Sequence, residues 1–274
     1  GGTAVKYGII DESGHILSRH VMETQAYQGG QAVLSKVLSI VENSRKAGEI
    51  SGVCISTAGM VDVYRGEIIH SAPLIPDYAG VCFKSIVQDK YGLPCEVEND
   101  VNCAGLAETI SGAARGSSSV LMLTIGTGIG GCFVLDGKVF HGAGNSACEV
   151  GYMHIFDSDF QTLGAASALS EKVSRRKGVR NGEWGGYRIF QAAKQGDSVC
   201  IQAIDEMVDI LGMGIANICY VLNPQTVVLG GGIMAQEEYL KARAEAAVAR
   251  YLLPSAAAYT SLCFAKYKNA AGML

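Results

Sequence analysis

A carboxylate set between amides is the first feature of this chain that could do chemistry: Glu98-Asn99-Asp100-Val101-Asn102. It lies where a short strand-like run, CEVEN, passes into a helical one, DVNCAGLAETISGAAR. Asp100 at a helix start reads first as an N-cap, its side chain accepting an orphan backbone N–H. Yet Asn99 and Asn102 beside it are costly to bury without polar partners. At the C-terminal end of a strand, such a group suits a polyhydroxyl ligand such as a sugar. The amides donate to and accept from hydroxyls, and the carboxylate takes the proton of one of them. A second concentration is Ala147–Ile155, ACEVGYMHI. It holds a thiol, a carboxylate, a phenol and an imidazole. These types fit a metal site, an acid/base centre or core with polar interruptions, and the residues alone leave all three open.

Three glycine turns bear on the choice. Gly1-Gly2-Thr3 opens the chain before a strand, Gly126-Thr127-Gly128-Ile129-Gly130-Gly131 lies between two strands, and Gly230-Gly231-Gly232 separates a strand from a helix. Without Cβ atoms, such turns let backbone N–H groups approach phosphate. The middle turn lacks the Lys-Ser/Thr ending of a P-loop. It also joins strand to strand, unlike the dinucleotide fingerprint. Three turns together point to a nucleotide gripped between lobes.

The elements that must carry these residues follow from periodicity. GGTAVKYGIIDESGHILSRHVM reads as two strands around the turn Asp11–Gly14. In residues 31–47, Val33, Leu34, Val37, Leu38 and Val41 share one helical face, and Gly48 ends the helix. Residues 51–57 are strand, SIVQDKYG is helix, and CEVEN is strand. The second part repeats the rhythm. SSVLMLTIG, GCFVLDG and KVFHG are strands, and helices follow at 165–177, 187–195 and 198–222, the last stopped by Asn223-Pro224. TVVLGGG is a strand and turn, and EEYLKARAEAAVARYL is a helix. The expectation is an α/β chain of two lobes, residues 1–110 and 111–274, with a boundary in the Gly- and Ser-rich stretch at 106–118.

Composition excludes several classes. Of 274 residues, 49% are hydrophobic and 18% charged, which argues for a packed core. A formal net charge of −4, with no cationic run longer than Arg175-Arg176-Lys177, argues against a nucleic-acid partner. No apolar run is long enough to span a bilayer and no signal peptide is visible, so no membrane partner is expected. Nine cysteines form no CxxC pair. An odd, scattered set points to a reducing cytoplasm rather than a disulfide framework.

Six motifs in order give this chain a family resemblance. GGT resembles the end of the DIGGT phosphate loop of the ROK family of sugar kinases and repressors, within the actin/hexokinase-like superfamily. STAGMVD, with Gly66 and Ala72-Pro73, resembles GxPGxVD…G…AP. ENDVNCAGLAE resembles ENDANAAALAE, and TIGTGIGGCFVLDGKVFHG resembles GTGIGGG…G. NSACEVGYMHI resembles AGEIGHM, and VVLGGGI resembles the adenosine turn. The resemblance implies an actin-like ATPase (ribonuclease H-like) fold, with nucleotide and sugar in the cleft between lobes and the last residues returning toward the N-terminal lobe.

It also implies roles. Asp100 would be the general base on a hexose hydroxyl, usually at C6. Asn99 and Glu149 would bond sugar hydroxyls, with Gly59 and Tyr152 also at the sugar. Gly2, Thr3, Lys6, Gly126, Thr127, Gly128 and Gly130 would hold phosphates, and Gly231 and Gly232 would lie against adenosine. The cofactors implied are ATP and Mg²⁺, the latter bound through the phosphates. The partners are the sugar, ATP and a second copy in a homodimer.

Departures refine this. The family's zinc-binding members carry His where Tyr152 stands, then a cysteine cluster. Residues 156–170 hold no Cys, so no zinc is expected. Cys148 stands at a family Gly position and reads as inert packing. The family's second sugar-binding Glu is missing, with Gly164 near its place. His154 would share a strand face with Tyr152. His70 and His141 read as surface or rim residues, and Trp184 as a packing anchor. Met207, Leu211 and Met213 read as core, and Asp77-Tyr78 as a turn, with a substrate contact as the alternative that the resemblance implies. The chain starts and stops inside motifs, which reads as trimming at both ends. Alternatives to a kinase are a ROK-type sugar-sensing regulator, disfavoured because no basic recognition helix is present, and a catalytically degenerate sugar-binding protein.

Overall fold

The computed structural model describes residues 3–71 and 73–267. Two compact units divide the chain. The first takes residues up to Ala104 and the segment His141–Ala147. The second takes Gly105–Phe140 and the described residues from Cys148 to Tyr267. The break at 104/105 falls inside a helix.

The first unit opens with an antiparallel hairpin, β1 (Ala4–Ile10) and β2 (Ile16–Glu23), which closes at the Asp11–Gly14 turn. Helix α1 (Gly30–Ala47) buries Val33, Leu34 and Val41. Strand β3 (Val53–Thr57) is followed by a short hairpin, β4 (Met60–Asp62) with β5 (Glu67–His70), which sequence periodicity does not reveal because the strands are three and four residues long. Helix α2 (Phe83–Tyr91) leads to β6 (Cys95–Asn99). β3 and β6 pair in parallel, and their last residues, Thr57 and Asn99, are register partners. Val41, Ile68, Phe83, Val87 and Val97 form the centre of this unit's core. Helix α3 (Asp100–Ile110) starts directly after β6.

The second unit is built on a five-stranded mixed sheet. Its strands are β7 (Ser119–Ile125), β8 (Ile129–Leu135) and β9 (Lys138–Val139), and later β12 (Thr226–Gly230) and β13 (Ser261–Phe264). The order is β13-β12-β7-β8-β9, parallel over the first three and antiparallel over the last three. β7 is buried from Val120 to Leu123 and β12 throughout, as strands covered on both faces must be. Between β9 and β12 come the hairpin β10 (His154–Ile155) with β11 (Ser158–Asp159), and then helices α4 (Phe160–Gly164), α5 (Ala166–Arg176), α6 (Gly186–Lys194) and α7 (Ser198–Leu222). α7 matches its expected bounds, and Asn223 closes it in the left-handed region at φ 44. Helix α8 (Glu237–Tyr251) packs along α7, and a short α9 (Pro254–Ala257) precedes β13. Met207 and Leu211 are buried and Met213 packs against the same core, as their helical spacing predicts.

No helix among the described residues is long and apolar enough to cross a membrane. All nine cysteines are free. Cys54 is exposed, so the apolar run GVCIST does not bury its thiol, whereas Cys219 in ANICYV is buried. The expected return of the last residues lies outside the described residues.

Candidate active site

In the first unit the site residues meet at the C-terminal ends of the parallel pair β3 and β6. The cap of α3 is Asn99, which corrects the expectation that Asp100 serves as cap. Asn99 Oδ1 accepts the N–H of Val101 at 2.8 Å and of Asn102 at 3.2 Å, while its Nδ2 donates to the Gly59 carbonyl at 2.9 Å. Gly59 therefore serves through its backbone, by holding Asn99. Capping by the neighbour leaves Asp100 available. Burial holds its carboxyl above the usual carboxylate range, while the N–H groups of Val101 and of Asp100 itself pull the other way.

Sequence reading gave Glu98 no role, yet it organises this turn. Its Oε1 accepts the Asn99 N–H at 2.7 Å and Asn102 Nδ2 at 2.9 Å, and its Oε2 accepts His141 Nε2 at 2.7 Å. His141 is thus a half-buried partner rather than a surface residue. A further pair, Thr57 and Tyr78, shares a buried hydroxyl hydrogen bond of 2.5 Å. Burial raises the Tyr78 hydroxyl, and the charge of Asp100 adds to the rise. Tyr78 is core, 2% exposed, whereas Asp77 sits at φ 50 in the turn expected there.

The other predicted residues belong to the second unit, apart from Thr3 and Lys6, both exposed on and before β1. Gly2 lies outside the described residues. β7 and β8 are joined by Gly126-Thr127-Gly128, closed by a hydrogen bond from the Gly126 N–H to the Gly128 carbonyl. Thr127 is exposed, and its carbonyl accepts Ser167 Oγ at 2.6 Å. A Cβ added at Gly126 would meet nothing within 4 Å, and the same holds at Gly232. These are open faces that a ligand can approach. Gly231 differs. It sits at φ +100 against the Ile125 backbone, where any Cβ would clash. That packing sets the 230–232 turn directly beside the 126–128 turn, as the pairing of Gly230 with Thr124 requires. Gly130 follows on β8, half-buried.

Glu149 is half-buried, and its neighbours fix it to β8. A Cβ at Gly131 would lie 2.6 Å from the Cys148 carbonyl and 2.9 Å from Val150. Cys148 takes φ 64, a left-handed conformation that suits the Gly the family carries there. Burial pushes its thiol up to about 11, which keeps it protonated and unreactive. Residues 150–152 form a 3-10 turn rather than a strand, so the alternation expected to put His154 beside Tyr152 does not hold. Tyr152 is 55% exposed, and His154 is exposed. Among the described residues no three His, Cys, Asp or Glu side chains converge on a common metal position. Trp184 is held between Lys177 and Arg188, whose cationic groups lie 4.5 and 4.1 Å from its ring centre. His70 is exposed on β5.

The candidate residues therefore form two clusters, one in each unit: Gly59, Asn99 and Asp100 in the first, and the glycine turns with Glu149 in the second. The sequence model of the ROK family matches residues 1–274. An uncharacterized protein of Clostridium perfringens is 45% identical over 100% of this chain and 92% of its own length. A beta-glucoside kinase of Klebsiella pneumoniae is 30% identical over 88% of this chain and 82% of its own. A ROK family glucokinase of Streptomyces griseus, solved with glucose and AMPPNP, superposes with a TM-score of 0.86 at 25% identity, covering 100% of this chain and 94% of that one.

Proposed function

The chain belongs to the ROK family and is a sugar kinase with the actin-like ATPase fold; from that premise we propose that it transfers the γ-phosphoryl group of ATP to the C6 hydroxyl of a hexose or hexose derivative, with Asp100 as general base. The observation that carries this is the division of labour at the start of α3. Asn99 caps the helix, Glu98 ties the turn together, and the one carboxylate left over is half-buried with a raised proton affinity. A base tuned upward from the ordinary carboxylate value accepts a hydroxyl proton more readily.

The reaction needs little from the protein beyond placement and charge stabilisation. The sugar hydroxyl loses its proton to Asp100, its oxygen bonds the γ-phosphorus, and the bond to the β-phosphate oxygen breaks to release ADP. In this reading, the backbone N–H groups of Thr127 and Gly128, the open face of Gly126 and the exposed Thr127 hydroxyl hold the β- and γ-phosphates, and Gly231 and Gly232 face the adenosine. Lys6, Gly2, Thr3 and Gly130 complete the phosphate contacts. The open space at Gly126 and Gly232 fits this use. Mg²⁺, carried by the phosphates, would neutralise their charge. Glu149 and Asn99 take sugar hydroxyls, with the Tyr152 hydroxyl within the same set.

A coupled ADP-release assay over a panel of hexoses, N-acetylhexosamines and β-glucosides tests the reading. Turnover on at least one sugar that Asp100→Asn abolishes is the expected result. Sugar binding without turnover across the panel would overturn it.

A further inference from the structure

Glu98 is bonded in two directions at once. Its Oε1 is filled by the Asn99 N–H and Asn102 Nδ2, the two residues that bracket Asp100 and Val101. Its Oε2 takes His141 Nε2 at 2.7 Å, and the two side chains are only 21% and 26% exposed. Charge-assisted hydrogen bonds of this length are the strong ones, and a carboxylate stripped of a partner in a half-buried place loses more than the bond itself. His141 opens the segment His141–Ala147, which groups with the first unit although the chain on either side groups with the second. The Ala147 N–H donates back to the His141 carbonyl at 3.1 Å, which closes the segment on itself. Cys148 and Glu149 follow at once. One carboxylate thus anchors both the turn that carries Asp100 and the segment that leads into Glu149.

We propose that Glu98 and His141 are a positioning pair for phosphoryl transfer, fixing the Asp100 turn against the His141–Ala147 segment of the same unit without touching the substrate. The proposal rests on the kinase reading above. Errors of about 1 Å in placement cost on the order of 10²-fold in rate, so a pair that sets placement acts on turnover. Nothing in residue type alone marked it: Glu98 reads as part of a strand and His141 as a rim residue 43 positions away.

Two variants separate positioning from bulk. His141→Gln keeps an amide donor near the Nε2 position, while His141→Phe keeps a ring and removes the donor. With the sugar that the wild type turns over, His141→Phe is expected to lower kcat by about tenfold or more with the KM for ATP unchanged, and His141→Gln to stay within about threefold. Hydrogen exchange gives a second readout that needs no turnover. The amides of residues 99–102 should exchange about tenfold faster in His141→Phe and at the wild-type rate in His141→Gln. If His141→Phe fails to fold, Glu98→Gln replaces it, since it alters the oxygen facing His141 and is expected to show the same loss. Wild-type kcat and exchange in the donor-less variant, beside an inactive Asp100→Asn, would sink the pair and leave the kinase reading standing. If the wild type phosphorylates no sugar, the kinase reading falls. Exchange then decides the pair: unchanged protection of 99–102 overturns it, and faster exchange rescued by Gln supports it.

Discussion

The turn that carries Asp100 and the turns at Gly126–Gly128 and Gly230–Gly232 solve opposite problems. In the first, side chains do the work. Glu98, Asn99 and Asn102 are bonded to backbone or to one another, and their bonding leaves Asp100 free of the cap. In the second, backbone does the work, and the absence of side chains is the feature. Even there the glycines differ: Gly126 and Gly232 face open space, whereas Gly231 packs against Ile125. A motif of consecutive glycines therefore mixes positions that serve a ligand with positions that serve the fold.

The sharpest test of the side-chain turn is Asp100→Asn, for which kcat should fall by about 10²–10⁴-fold, the usual range for a lost general base. The same change should raise the melting temperature at neutral pH. Because burial raises the folded-state pKa of Asp100, ionising it in the folded chain is unfavourable, and stability is lost as pH rises from the unfolded value through the folded one. Asn carries no such loss. A variant that is both dead and less stable would contradict this account of Asp100.

For the backbone turns, Gly231→Ala and Gly126→Ala should part company. Gly231→Ala is expected to cost roughly 2 kcal/mol or more of stability, through its left-handed φ and the clash with Ile125, read as a lowered denaturation midpoint. Gly126→Ala should leave the midpoint unchanged and raise the KM for ATP by about tenfold, since a methyl there meets only what binds. Equal stability loss in both would erase the distinction between them.

Smaller again is Glu149→Gln, expected to raise the sugar KM by about three- to tenfold with little change for ATP, as for one weakened charge-assisted hydrogen bond. Last is pH. Activity should fall on acidification as Asp100 takes up its proton, and the midpoint should lie above the ordinary Asp value of about 3.9. A rate that holds level down to pH 4 would remove Asp100 from the role.

Much of this molecule was legible before its structure. The long helix α7 and its Asn223 stop, the strand-to-strand glycine turn, and the strand-to-helix junction at Asn99-Asp100 all follow from periodicity and turn chemistry. Three- and four-residue strands such as β4 and β5 were not legible, because period-2 patterning needs more residues than they have. The strand reading failed for Tyr152, which sits in the 3-10 turn at 150–152, while His154 does lie on a strand, the two-residue β10.

By itself, then, the sequence determined which chemical groups the protein owns and the elements that carry them: a carboxylate among amides, glycines at strand ends, a carboxylate directly after Cys148. Tertiary structure decided their assignments. It made Asn99 the cap, turned Glu98 toward His141, separated the open glycines from the packed ones, and set the 230–232 turn beside 126–128. Local patterns report φ, ψ and burial periodicity, which depend on neighbours in the chain. Which donor meets which acceptor depends on groups brought together across 40 residues between Gly59 and Asn99 and 43 between Glu98 and His141, and only the packed fold supplies them.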